Sequence, residues 1–309
     1  MIAARAAQSA RERIGGLRRA AFALSLSLLG VFAIAPPTVA AQRTPNSAAR
    51  PVTLTVLSLN LWHDKTDWPK RRALIVAEIK RLRPDVIALQ EVLQHEGLRN
   101  QAQDLAEALG YQAQFVSVDA ADAPRRYGNA ILTRLPVAAR DMHKLAPLND
   151  YRTAAHARLQ VGAQHRGINL YATHLHNDAG GGDIRREQIA SLLGFVDTTA
   201  QGLPTIIAGD FNSNADSPEL RALAARYRDA YAQAHPRTAG DVAASTTLNP
   251  AYLPAQRIDH IFYDPAAFEL IQARIVLNRG RDGAWASDHF GMLATLRLRD
   301  GRPATPSPN

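Results

Sequence analysis

Five places in this 309-residue chain set chemically useful polar side chains at or just past the end of an apolar run. The clearest is Thr205–Ile206–Ile207–Ala208–Gly209–Asp210–Phe211–Asn212. A β-branched apolar stretch entered through Pro204 reads as a buried strand. Gly209 ends it and permits close backbone approach. Asp210 and Asn212, two residues apart in extended chain, point the same way. Similar placements occur at Asn60, Glu91, His174 and the pair Asp288–His289, while Asp259 sits inside an apolar strand between Ile258 and Ile261. Each has a bland reading on its own, since Asp and Asn are ordinary turn residues and a lone His is more often packed or at the surface. As an ordered set they deliver hard oxygen donors and imidazoles, the groups of divalent-cation sites and of proton transfer. A carboxylate buried at Asp259 is costly without a partner, and His289 and His174 are the candidates.

The elements that must position these residues follow from period and punctuation. Val52–Leu59 reads as a strand ending at Asn60. Asp67 and Pro69 start a helix that Pro84 closes. Asp85–Leu89 is a second buried strand, ending in Gln90–Glu91. A helix with Leu98, Ala102, Leu105 and Leu109 on one face ends at Gly110. Strands are expected at Gln112–Val118, Asn129–Thr133, Val137–Leu145, Ala155–Val161 and Gly167–Thr173. Asp183 caps a helix running to about Thr199. After the Thr205 strand and a less regular segment come Arg257–Tyr263, Phe268–Val276 and Gly291–Leu298. The pattern is α/β, and helices outside two stacked mixed sheets satisfy it.

A 46% hydrophobic and 21% charged composition is that of a folded domain. Half of the formal +8 charge belongs to residues 1–41, which hold five Arg and one Glu. That stretch reads as a signal peptide: a basic start, an apolar Ala20–Ala35 too short for a comfortable span, then Pro36–Pro37 and small residues before Gln42. The expected location is therefore periplasmic or secreted. Residues 42–51 read as a linker, 52–300 as one domain and 301–309 as a disordered tail. The body is mildly basic, which fits an anionic substrate without demanding nucleic acid. No cysteine is present, so thiolate zinc sites, thiol catalysis and disulfides are excluded.

With these residues in order, the chain resembles the endonuclease/exonuclease/phosphatase superfamily, as an exported bacterial-type member. The marks are Leu57–Asn60, Asp85–Glu91, Gly128–Leu132, Thr173–Leu175, Gly209–Asn212, Arg257–Ile261 and Ser287–Phe290. The resemblance implies a four-layer α/β sandwich, two β-sheets between helices, with the site at one edge. It implies that Glu91, Asn60 and Asp288 serve a metal, and that Asp210 orients or deprotonates the attacking water. Asn212 then contacts a phosphate oxygen, His289 pairs with Asp259, and His174 holds the general-acid position. Arg152 and Asn129 are carried over as substrate contacts. Carboxylate and carboxamide ligands suit Mg²⁺, with Mn²⁺ or Ca²⁺ as alternatives. Two departures stand out. Trp62 occupies a place where abasic-site endonucleases have an acid, and no acid presents itself as partner to His174.

The expected activity is metal-dependent hydrolysis of a phosphoester, most readily a phosphodiester of nucleic acid or a phospholipid head group, by a monomer with no obligate protein partner. A catalytically silent binding module on the same fold is the alternative. Lys70–Arg71–Arg72 reads as a solvated helix face, and Arg125–Arg126 as a rim for phosphate.

Overall fold

Residues 51–300 are described in a computed structural model of the protein. The expected signal peptide, nearly all of the expected linker and the expected tail lie outside the described residues. In chain order the elements are β1 (Thr53–Asn60), α1 (Trp68–Leu82), β2 (Val86–Gln94), α2 (Gln101–Leu109), β3 (Gln112–Val116), β4 (Arg126–Thr133), β5 (Val137–Lys144), β6 (Thr153–Val161), β7 (Arg166–His174), α3 (Gly182–Thr199) and β8 (Thr205–Asp210). Short pieces follow: α4 (Arg221–Ala224), β9 (Arg228–Asp229), α5 (Ala230–Ala234) and α6 (Val242–Ser245), then β10 (Asp259–Tyr263), β11 (Phe268–Val276) and β12 (Gly291–Leu298). No helix among the described residues is long and apolar enough to cross a membrane.

The strands form two six-stranded mixed sheets, ordered β11-β12-β1-β2-β4-β3 and β5-β6-β7-β8-β10-β9. Each contains one parallel pair, β1 with β2 and β7 with β8, and each pair is joined through a helix, α1 or α3. This topology explains the position of the site. Parallel strands run the same way, so the end of β1 sets Asn60 opposite Gln90 of β2, next to Glu91. The ends of β7 and β8 likewise carry His174 opposite Asp210.

Both faces of the central strands are covered, which accounts for near-continuous apolar runs in place of strict alternation. Val56, Ala88, Leu170, Ala172, Ile206 and Ala208 fill the space between the sheets. Their alternates Leu57, Leu59, Ile87 and Leu89 turn outward onto Ile75 and Ile79 of α1 and Leu105 of α2. On the other sheet, Tyr171, Ile207 and Phe262 pack on Ile189, Leu192 and Val196 of α3. Helices outside two stacked sheets are the four layers expected.

Local details differ from expectation for identifiable reasons. β2 runs on to Gln94 through a bulge between Leu89 and Val92. Leu98 precedes α2, whose N-cap is Asn100, with its carboxamide oxygen accepting from Ala102 N and Gln103 N at 3.1 and 3.2 Å. Gly181 takes the cap of α3, and Asp183 instead lies in its first turn, where a negative charge favours the helix dipole. The largest correction concerns Arg71. It is not on a solvated face but 2% exposed. Its Nε donates to Lys65 O (2.9 Å), Nη1 to Leu61 O (2.7 Å) and Ala286 O (3.1 Å), and Nη2 to Trp62 O (3.2 Å) and His63 O (2.8 Å). All five guanidinium donors are thereby used, tying the turn after β1 to the segment leading into Asp288–His289.

Candidate active site

Asn60 bridges the sheets. Its side-chain nitrogen donates to Asp210 Oδ2 at 3.0 Å, and its oxygen accepts from Trp62 N at 2.9 Å. Asp210 is 1% exposed. Its Oδ1 accepts from Asn212 N at 2.9 Å, a local turn that fixes the carboxylate plane. Its Oδ2 also lies 3.4 Å from His174 Nε2 and 3.8 Å from His289 Nε2. The partner acid of His174 that sequence did not supply is thus Asp210 itself, placed opposite by the parallel register.

Asp259 opens β10 directly opposite Asp210. His289 Nδ1 donates to its Oδ2 at 2.8 Å, leaving Nε2 toward Asp210. Burial alone would push the imidazole down and does push the Asp259 carboxyl up. The charge and hydrogen bond of Asp259, with the charges of Asp210 and Asp288, outweigh that and hold His289 up at about 10. The ring is therefore an imidazolium at neutral pH. Asp210, Asp259 and His289 place donor atoms within 4.8 Å of one another, close enough to suggest a metal cage. An imidazolium with Nδ1 committed to Asp259 has no lone pair for a metal, so the group is better described as a hydrogen-bonded relay.

The hard-cation donors lie beside that relay. Glu91 sits in the β2 bulge with a positive φ of 55°, which turns it out of the ladder toward the site. Burial pushes its carboxyl up, Asp210 adds to the effect, and Asn60 lies within hydrogen-bonding reach. Asp288 is pushed up to about 6, first by burial and then by Glu91. The Ser287 hydroxyl lies 3.1 Å from Asp288 Oδ1 and 2.8 Å from Asn60 O. Two acids held up by burial, with Glu91 adding to the rise of Asp288 and a carboxamide oxygen beside them, form a donor set that fits a hard divalent cation.

His174 is 3% exposed. Burial, then the charge of Arg152, keeps it well below its usual value and hence neutral. Arg152 is itself buried, with Nη2 donating to Asn177 Oδ1 at 3.0 Å. Asn212 spends one amide hydrogen on Leu175 O at 3.0 Å and retains a second. Asn129 is opposite the bulge region in β4, but its side-chain nitrogen is engaged by Thr153 O (2.9 Å) and Oγ1 (3.2 Å), a strut between the sheets. Of the expected rim pair, Arg125 stands in the wall of a cavity beside Glu91, while the Arg126 guanidinium stacks over Phe115 at 5.0 Å.

Sequence reasoning missed His63, 3.1 Å from Glu91 Oε2, and Tyr127, whose hydroxyl lies 3.4 Å from His174 Nδ1. It also missed Thr247, whose hydroxyl accepts from Ile258 N and Asp259 N at 3.1 and 3.2 Å and so anchors the relay's acid. His63 and Tyr127 each lie within three residues of a recognised motif, which is the only signal available for them.

Comparison with known proteins is consistent with this arrangement. The model of the Endonuclease/Exonuclease/phosphatase family matches residues 57–289. Nocturnin of Drosophila melanogaster is 27% identical over 75% of this chain, which spans 42% of that protein's length. Among solved structures, the human Nocturnin catalytic domain with bound sulfate superposes with a TM-score of 0.66 at 22% identity, covering 82% of this chain and 95% of that one. ANGEL2, a 2′,3′-cyclic phosphatase in complex with adenosine-2′,3′-vanadate, gives a TM-score of 0.67 at 20% identity, covering 80% and 96%. At these identities the structural likeness establishes the fold.

Proposed function

We propose a function from one premise: the chain belongs to the endonuclease/exonuclease/phosphatase family. It is a divalent-metal-dependent hydrolase of phosphoester bonds, acting on a phosphodiester of nucleic acid or of a phospholipid head group. The observation that carries this reading is the Asn60–Asp210 hydrogen bond across the two sheets. It joins the sheet that carries Glu91 in the β2 bulge to the sheet that carries Asp210 at the end of β8 and Asp259 of the relay. The phosphatase activity and the adenosine vanadate in ANGEL2's description support a phosphoester as substrate.

Asn60, Glu91 and Asp288 would hold the cation. When bound, such an ion neutralises phosphate oxygens and stabilises the leaving alkoxide. The chain's own groups do the rest. Asp210, fixed by Asn60 and by the Asn212 amide, orients water and takes up its proton for in-line attack. The His289 imidazolium directs Nε2–H at a phosphate oxygen whose charge grows during reaction, and Asp259 holds the ring in that orientation. The second amide hydrogen of Asn212 donates to a nonbridging oxygen, a contact worth about 3 kcal/mol in the transition state. A buried neutral imidazole is a poor proton donor, so His174 is assigned to steadying Asp210 rather than to protonating the leaving group. Mg²⁺ is the expected ion.

The test is a panel of DNA, RNA, sphingomyelin and bis-p-nitrophenyl phosphate with Mg²⁺, with and without EDTA. Hydrolysis of at least one that ceases in EDTA is expected. Hydrolysis of none would replace the enzyme by a binding module on the same fold.

A further inference from the structure

A cavity of about 370 Å³ opens beside Glu91, with His63, Val118, Arg125, Tyr127, Tyr151 and Arg152 in its wall. That volume lies at the small end for ligand sites; it takes one compact group and not a pair of acyl chains. Two of the few large apolar side chains exposed at the surface, Val118 at 37% and Tyr151 at 48%, belong to this wall. The rings of His63, Tyr127 and Tyr151 run in a row of edge contacts, with centroids 5.1 and 5.7 Å apart. The Arg152 guanidinium lies 4.6 Å from the Tyr151 centroid and is fixed by Asn177. A half-exposed tyrosine backed by a fixed guanidinium is a platform for a flat π-system.

The cavity shares Glu91 with the site, so its occupant is the organic group attached to the reacting phosphate. We infer that it is a nucleobase-stacking subsite with Tyr151 as its platform, and that the substrate carries a nucleoside rather than a choline-type head group. The inference rests on the phosphoesterase reading above. Aromatic cages also attract quaternary ammonium groups, and the charges of the wall are mixed, Arg125 and Arg152 against Glu91 and Asp119. Geometry decides between the two: the three rings meet edge to face in a row instead of enclosing a point, and Arg152 already covers Tyr151, so the wall offers one flat stacking surface and not a cage around a cation.

Three p-nitrophenyl phosphodiesters share a leaving group and differ only in the other ester: thymidine 5′, methyl and choline. The thymidine ester is expected to exceed the methyl ester in kcat/KM by about tenfold or more. Tyr151→Ala should bring that ratio close to one, whereas Tyr151→Phe should keep it. Equal kcat/KM for the thymidine and methyl esters, preference for the choline ester, or a ratio that survives Tyr151→Ala would overturn the subsite. Turnover of none of the three would remove the phosphoesterase reading and the subsite with it, so the two failures are distinct.

Discussion

Replacing Arg71 by Ala should damage the protein far more than replacing Arg72, its neighbour on the same helix. Arg71 is 2% exposed and its five donors satisfy five carbonyls. Burial lowers its pKa to about 10, so it stays charged at neutral pH. Hydrogen bonds from a charged donor contribute roughly 1.5–3 kcal/mol each, and they are not additive. Removing one partner from a buried charged network costs about 3–5 kcal/mol. For a domain of this size that is a fall in Tm of roughly 10 °C. Arg72 pairs instead with Asp104, at 34% and 25% side-chain exposure, and such pairs contribute about 1 kcal/mol or less. Arg71→Lys, with a charge but three donors, should fall between them. Urea unfolding of the three variants measures this directly. The carbonyls belong to residues 61, 62, 63, 65 and 286, so Arg71→Ala should also lower turnover in the fraction that remains folded. A loss under 1 kcal/mol, or an Arg72→Ala effect as large, would refute the assignment of Arg71 as the tie between these segments.

Other outcomes follow from the same geometry. His289→Ala should cut kcat by several powers of ten, measured on any substrate the panel identifies, and should also lower Tm, because it leaves the buried Asp259 carboxyl without its partner; Asp259→Asn should reproduce most of the kcat loss by freeing the ring. Gly209→Ala should weaken folding at the site edge, since its Cβ would fall 2.0 Å from Thr173 O; thermal unfolding and kcat should decline together. Asp229 accepts from Arg257 Nη1 at 2.6 Å and pairs with His260 Nδ1 at 2.7 Å. Burial would push its carboxyl up, but His260 and Arg257 win and hold it well below the usual carboxylate range. A depressed folded pKa contributes stability above the unfolded value of about 3.9, lost as pH falls through the folded one. The stability gap between wild type and Asp229→Asn should therefore be flat from neutral pH to about 5 and shrink below about 4.

How much could be read from the chain depended on whether the cause was local. The strand ends at Asn60, His174 and Asp210 were legible because an apolar run halts at a polar residue, and both sheets confirm that pattern; at Glu91 the run is interrupted by a bulge and the strand continues to Gln94. Arg71 was not legible, because a charged side chain reads as solvent-facing even though this one falls on the helical stripe of Trp68, Ile75 and Ile79, and the carbonyls that satisfy it include one 215 residues away. The Asp210–His174 contact depends on the register of two parallel strands joined by α3, which one sequence does not state. The bulge that aims Glu91 likewise arises from its partner β4. His63 and Tyr127 enter through loop and sheet geometry alone.

The most direct measurement is hydrolysis of bis-p-nitrophenyl phosphate by folded wild-type, Glu91→Gln and Asp210→Asn proteins across a Mg²⁺ titration. Wild type should turn over, Glu91→Gln should need far more Mg²⁺ for the same rate, and Asp210→Asn should stay slow by several powers of ten at every concentration. Full activity in Asp210→Asn, or a Mg²⁺ requirement that Glu91→Gln leaves unchanged, would contradict a shared site at the meeting of the two sheets.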